Sequence, residues 1–365
     1  MAFFISGFGT AAWAPLVPFA KARVGLGDGA LGLMLLCVGT GSMIAMPLAG
    51  ALTARFGCRA VLLAASGLLC LTLPLLPTVT SLPRLAATLL LFGAGAGSLD
   101  CAMNIQAIIV ERASGRAMMS GFHALFSIGG IVGAGMVSFL LAVGASPSLS
   151  ALGVAIAIVL ALLGAEAHFL RYGVTGEGPI FAIPHGIVLL IGMLCFVVFL
   201  TEGSVLDWSA VFLTSVRGVE PAYAGLGYVA FAAMMTIGRL SGDAIVQRLG
   251  RGWVVVMGGL AAASGLALAA LVPSWKAGLL GYALVGAGCA NLVPVLYTAV
   301  GRQKAMPEHV AVPAISTLGY AGILAGPAAI GFLAHAAGLP VAFLIVAILL
   351  LGVATSELAL RAYMR

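Results

Sequence analysis

Charge is what this chain has least of. Asp, Glu, Lys and Arg make up 8% of its 365 residues, where soluble domains carry about a quarter. A water-exposed surface cannot be built from so few ionic groups, so a soluble globular fold is excluded. Paired cysteines are missing as well. Cys37, Cys58, Cys70, Cys101, Cys195 and Cys289 fall in or at the ends of apolar stretches with no CxxC spacing, which predicts free thiols used in packing rather than a disulfide or a zinc site. The sequence has no phosphate loop, no HExxH and no serine nucleophile elbow, and no polar segment long enough for an ATP-hydrolysing domain. Primary pumping, enzyme chemistry, metals and cofactors are therefore not expected. The net charge of +6 comes from basic residues scattered singly at helix ends, a pattern that argues against nucleic acid as a partner.

What the chain has is apolar length. Hydrophobic residues make up 62%, mean hydropathy is +1.19, and the apolar runs reach the roughly 18 to 28 residues that cross a hydrocarbon core as helices. Twelve spans are predicted, at 2–20, 29–53, 59–77, 82–110, 117–142, 149–170, 186–213, 221–248, 253–272, 277–300, 311–336 and 339–360. The fold class is thus all-α integral membrane. The first stretch lacks a basic leader and an A-x-A cleavage site, so it is expected to remain as a helix. It offers only about 20 residues before Lys21, the short end of the range for a span, which points to a shortened or misassigned start.

The longest polar interruption, Arg171 to Pro184, separates spans six and seven. It divides the chain into a half at 1–171, a linker at 172–184 and a half at 185–365. Loops on the side of the termini hold eleven Lys and Arg residues and the opposite loops hold five, so both termini are predicted to be cytoplasmic. The halves repeat: Arg55-Phe56-Gly57 matches Arg248-Leu249-Gly250 and Gly93-Ala94-Gly95 matches Gly286-Ala287-Gly288, both at an offset of 193, and Gly130-Ile131 matches Gly322-Ile323 at 192. Duplicated units of this kind are common among membrane carriers. Two pseudo-symmetric six-helix bundles follow. The small residues of Gly93, Gly95, Gly97, Gly129, Gly130, Gly133 and Gly135 predict close helix packing in spans four and five. Pro294, Pro313 and Pro327 are expected at kinks or helix starts.

Over its whole length the chain resembles the major facilitator superfamily. Gly50-Ala51-Leu52-Thr53-Ala54-Arg55-Phe56-Gly57-Cys58-Arg59 is similar to that superfamily's loop motif between spans two and three, with Ala54 where the motif has aspartate; Gln247 stands at the equivalent place in the second half. Gly97-Ser98-Leu99-Asp100-Cys101-Ala102-Met103-Asn104 resembles the fourth span of fucose-permease-like carriers. The strings Gly121 to Gly130 and Glu202 to Ala210 resemble the MosC-like branch. The resemblance implies a bacterial inner-membrane carrier, proton-linked carriage of sugar-like metabolites, and a central cavity lined by spans one, four, seven and ten. Fucose carriers have a further acid in span one; this span has none.

An ionisable group inside a bilayer costs several kcal/mol unless paired or hydrated, so each is a candidate. Asp100, with Asn104 one turn on along the same face, is read as a coupling or substrate-binding carboxylate, the alternative being an interhelical hydrogen bond. Glu202 and Asp207 stand about 140° apart on one helix. Glu202 is read as a second cavity carboxylate or an interhelical hydrogen bond, and Asp207 as an outer-gate or structural group. His123 suits a proton relay, or a donor to a backbone carbonyl that anchors the inner gate. Asn104, Gln106 and Asn291 offer donors and acceptors for a hydroxyl-rich ligand. Trp13 and Trp208 are read as stacking on a sugar ring or marking the lipid interface. The loop motif makes Arg55, Arg59 and Arg248 gate residues, and Arg239 with Asp243, four residues apart, is expected to replace the missing gate charges.

These readings predict a secondary carrier acting as a monomer, with protons, a small neutral solute and the bilayer as partners. A drug exporter is the rival within the class, since apolar walls with one or two carboxylates suit lipophilic cations. A non-transporting receptor or scaffold is the rival outside it.

Overall fold

The computed structural model describes residues 1–26, 28–173, 183–219 and 225–364. Most of the predicted linker, 174–182, and the start of predicted span eight lie outside the described residues. The N-terminal stretch is α1 (Ala2–Ala11), a short 3-10 turn at Ala14–Leu16 and α2 (Val17–Val24). Then come α3 (Asp28–Thr72), α4 (Leu82–Ser114), α5 (Met119–Ala142) and α6 (Pro147–Ala165). The second half holds α7 (Gly186–Ser215), α8 (Leu226–Leu249), α9 (Arg251–Leu271), α10 (Trp275–Cys289), α11 (Leu292–Val300), α12 (Glu308–Ala337), α13 (Leu339–Thr355) and α14 (Glu357–Met364).

Among the described residues ten helical runs are long and apolar enough to cross a membrane. Two spans are hidden in that count. The 45 residues of α3 would extend about 68 Å at 1.5 Å each, twice a hydrocarbon core, and the helix turns at Gly57, with φ 83° and ψ 162°. Predicted spans two and three are therefore one helical run folded at a glycine. The run from Ala2 to Val24 is the other. The fold is a twelve-helix, all-α membrane fold. Predicted span ten is broken at Ala290–Asn291, with Pro294 in the first turn of α11, whereas Pro313 and Pro327 lie inside the continuous α12. Large apolar side chains such as Leu160, Leu163 and Ile348 stand more than 60% open, as a lipid-facing surface allows.

The repeat is geometric as well as textual. Gly250, 193 positions after Gly57, takes nearly the same backbone angles, φ 80° and ψ 154°. Only glycine adopts them without strain. A Cβ on Gly93 would strike the Val38 carbonyl, and one on Gly286 would strike the Phe231 carbonyl. A Cβ on Gly95 would crowd the Ala65 oxygen and Leu69 nitrogen; one on Gly288 would crowd the Gly258 oxygen and Ala262 nitrogen. Every one of these pairs is offset by 193. Near the start of each half the register shifts by one: Gly129 abuts Phe4 and Phe8, and Gly322 abuts Phe196 and Leu200. Glu202 thus occupies the place of Thr10, and Arg239 that of Met46.

Such backbone contacts leave no room for a side chain. Gly286→Val is expected to lose most of the monodisperse protein extracted in detergent, whereas Gly135→Val, at an open position with nothing within 4 Å of a Cβ, should extract like the parent.

By internal contacts the chain forms two compact units. The first gathers Met1–Ala113, Leu125–Ile183 and Pro307–Thr317; the second gathers Ser114–Ala124, Pro184–Met306 and Leu318–Arg365. The body of α5 and its first residues are thus assigned to different units, and so are those of α12.

Candidate functional site

In the first unit the candidate group is Asp100, half-buried on α4. One helical turn brings Asn104 over it. The Asn104 amide donates to the Asp100 carbonyl at 2.9 Å and to the Asp100 carboxylate at 3.4 Å, and its own carbonyl oxygen is buried with no hydrogen-bond partner. Among the described residues no cation pairs with Asp100. A carboxylate in a span with only one long, neutral hydrogen bond is poorly compensated. Trp13 is buried, its ring 6.5 Å from that of Phe92, and its indole N–H has no partner. It is packed inside the unit rather than at a lipid interface. Gln106 lies elsewhere: its side-chain oxygen accepts from the Leu170 backbone at 2.9 Å.

That contact belongs to the loop motif. At the Gly57 turn, Cys58 and Arg59 donate their backbone N–H groups to Tyr172 and Leu170 at 3.3 and 2.8 Å, and Arg59 pairs with Glu166 at 3.0 Å. A Cβ on Gly57 would strike the Arg171 carbonyl. In this unit the motif therefore clamps the chain that leaves α6. Arg55 is exposed and lies 5.1 Å from the Phe56 ring; Arg248 is exposed at the end of α8.

The second unit holds the denser cluster. Glu202 on α7 faces Arg239 on α8 at 3.8 Å, with side-chain exposures of 19% and 7%. That is beyond a hydrogen bond, and the Glu202 oxygen nearest Arg239 has no hydrogen-bond partner. Arg239 also donates to the Ala290 carbonyl at 3.4 Å, and the Asn291 amide donates to the Gly238 carbonyl at 3.0 Å. The break between α10 and α11 supplies that free carbonyl, because a helix interrupted inside a membrane must find partners for its backbone. The Asn291 carbonyl oxygen is buried against Gly242 with no hydrogen-bond partner. Unsatisfied buried acceptors beside a loosely held ion pair mark a place where water or a ligand can bind.

Arg239 and Asp243, expected to serve each other, each have a partner on another helix. Arg239 turns to Glu202, while the Asp243 carboxylate accepts from the backbone N–H groups of Ser120 and Gly121 at 3.1 and 3.0 Å. The repeat register carried a signal for this: Glu202 and Arg239 are both charged where Thr10 and Met46 are not. His123 is buried, its Nδ1 2.9 Å from the Met119 carbonyl and its ring 6.1 Å from that of Tyr297. Trp208 has an unpartnered indole N–H and lies beside Gly331. Asp207 is exposed. The structure thus brings Glu202, Arg239 and Asn291 together, and separately joins Asp100 to Asn104.

No family model matches the chain. It is 57% identical over 360 residues to an uncharacterized MFS-type transporter of Yersinia pestis, covering 98% of this chain and 94% of that protein. It is 31% identical over 346 residues to the membrane protein MosC of Rhizobium meliloti, covering 94% and 84%. Among solved structures it is similar to the fucose:proton symporter FucP of E. coli, with a TM-score of 0.74 over 100% of this chain and 97% of that one; the identity there is 16%, so the likeness is one of fold.

Proposed function

Because the chain belongs to the major facilitator superfamily and its relatives are transporters rather than enzymes, we propose that it is a proton-coupled carrier of a small, neutral, sugar-like or polar metabolite. The observation that carries this reading is the charge balance of the buried groups. Arg239 already faces Glu202 at 3.8 Å, so it is not a free site for a phosphate or dicarboxylate, which would need fixed cations. Asp100 has no cation beside it, and a carboxyl that exchanges between neutral and charged forms is what proton coupling requires. Asp100 and Glu202 take the coupling roles, with His123 as a relay. Substrate binding is assigned to Asn104 and Asn291, each with an unpartnered buried oxygen, and to Trp13, Trp208 and Gln106. Asp207 belongs to the outer gate.

The carrier works as a monomer by alternating access of two six-helix halves at 1–171 and 185–365. It sits in the bacterial inner membrane with both termini cytoplasmic, as the excess of basic residues on that side supports.

A thermal-shift screen of sugars, polyols and amines on detergent-purified protein identifies the ligand class, since a ligand of the native state raises its stability. In liposomes, an inward proton gradient should drive the identified sugar or polyol above its external concentration, and a protonophore should abolish the effect. Movement of cationic dyes instead would establish the drug exporter; movement of nothing down any gradient would establish a receptor or scaffold.

A further inference from the structure

The repeat places the same glycine turn in both halves, but the described chain covers only one of them. A Cβ on Gly57 would strike the Arg171 carbonyl, because the chain leaving α6 lies over that turn. Around Gly250, 193 positions later, nothing among the described residues lies within 4 Å of a Cβ. What borders Gly250 is a mixed basic and apolar surface. Arg248 is exposed, and Leu249, Trp253 and Met257 are each more than half exposed. The other border is α14. Its Glu357 carboxylate lies 2.9 Å from where a Cβ on Gly252 would stand, in the first turn of α9, which has no side-chain cap of its own; a negative charge is favoured there. Leu360 is fully buried, so α14 is docked on its unit. Leu358 and Arg361, three residues apart and so on one face, are 69% and 62% exposed. Arg361 meets Glu357 through Nε, at 3.1 and 2.9 Å, and among the described residues its two terminal nitrogens are not engaged.

Water would satisfy these arginines but not Leu249, Trp253 and Leu358, and hydrocarbon would satisfy the apolar groups but not the arginines. An amphiphile with an anionic head satisfies both. We propose that the α8–α9 turn and α14 form a binding site for an anionic phospholipid, with Arg248 and Arg361 donating to its phosphate and an acyl chain lying along Trp253 and Met257. Charge balance sets the sign: residues 244–256 and 357–361 hold Arg248, Arg251 and Arg361 against one acid, Glu357. Guanidinium groups suit phosphate because they meet its oxygens with paired N–H donors, and tryptophan favours the depth at which headgroups meet acyl chains. The first half lacks such a site, since Arg59 of its turn is paired with Glu166. All the residues invoked belong to the second unit. The site requires only that the chain spans a membrane, so it does not depend on which solute is carried.

Trp253 is the reporter. A Trp275→Phe background removes the exposed tryptophan just beyond the other end of α9, and Trp253→Phe in that background gives the baseline from Trp13 and Trp208. The full chain is placed in phosphatidylcholine liposomes carrying a minor fraction of phosphatidylglycerol with brominated chains or, at the same fraction, brominated phosphatidylcholine, and fluorescence quenching is compared. The anionic lipid should quench Trp253 well beyond the neutral one. Arg248→Gln and Arg361→Gln should each lower that preference about fivefold, the scale of one basic residue at an anionic headgroup, and the double variant should remove it. Lys276→Gln, an exposed position beside Trp275, deletes the same charge and should leave the preference unchanged. Equal quenching by the two lipids in the parent overturns the site. So does a preference that Lys276→Gln lowers as much as the arginine variants do, which is a response to net charge alone. Inorganic phosphate added at constant ionic strength should not compete; if it abolishes the preference, the arginines bind a free phosphate ion and the lipid assignment fails. Should the double variant not fold, the two single variants decide.

Discussion

Asp100→Asn is expected to abolish uphill accumulation while leaving downhill exchange of the same solute. The amide is nearly isosteric with the carboxyl and still offers an oxygen to Asn104, whose amide now sits 3.4 Å from the carboxylate and 2.9 Å from the backbone carbonyl. Local geometry should therefore survive. What the amide cannot do is take up and release a proton, so solute movement is freed from the gradient. In proteoliposomes with an imposed pH difference the parent should concentrate solute, and the variant should stop at equal concentrations inside and out. Counterflow, in which labelled solute exchanges against unlabelled, should persist at a measurable fraction of the parental rate. Accumulation at the parental level would remove Asp100 from the coupling step and leave it an interhelical hydrogen-bonding group. Asn104→Ala is the informative companion: it should weaken solute binding, because its buried oxygen has no internal partner, yet leave the accumulation ratio of whatever solute is carried unchanged.

The fold was legible because the bilayer simplifies the code. Apolar length alone placed the spans, and repeated glycines suggested two halves; the structure makes Gly93, Gly95, Gly286 and Gly288 points where backbones touch, while the counterpart of Gly322 is Gly129, offset by 193, rather than the expected Gly130. What sequence spacing could not supply was which charged side chain faces which across helices. Arg239 had an acid four residues away, so the local rule proposed Asp243, and spacing gave no sign that Glu202 on α7 lies 3.8 Å from it. Facing is set by how separate helices pack on one another. Gln106 shows the same limit: its amide character suggested a ligand, and spacing gave no sign that its oxygen accepts from the Leu170 backbone. The turn at Gly57 was legible as a loop between two spans, although helical hydrogen bonding continues up to it and resumes beyond it. Trp13 near a predicted helix end suggested an interface anchor or a stacking ring; burial against Phe92 depends on how α1 and α4 pack, which no single helix reveals.

Removing Glu202 alone should be more damaging than removing it together with Arg239. The pair is buried, and loss of one partner leaves an uncompensated charge, a defect that typically costs about 3–5 kcal/mol, while replacing both with uncharged side chains is often neutral. The first half states which residues suit the site without charge, because Thr10 and Met46 hold the equivalent places, the Thr10 hydroxyl donating to the Ser6 carbonyl one turn back. Glu202→Thr should therefore lower the unfolding temperature in detergent by several degrees or prevent purification, and Glu202→Thr with Arg239→Met should recover most of the loss. Neither should concentrate solute. The rescue separates packing from transport, which a single substitution cannot do. Glu202→Gln tests the coupling role itself, since the fixed neutral form should flatten the pH dependence of solute binding between about pH 5 and 9, whereas Asp207→Asn, at an exposed position, should keep the parental profile. Should the double variant be no more stable than Glu202→Thr, the 3.8 Å approach is not an energetic pair. Should Glu202→Gln titrate like the parent, Glu202 is a packing residue and Asp100 carries the coupling alone.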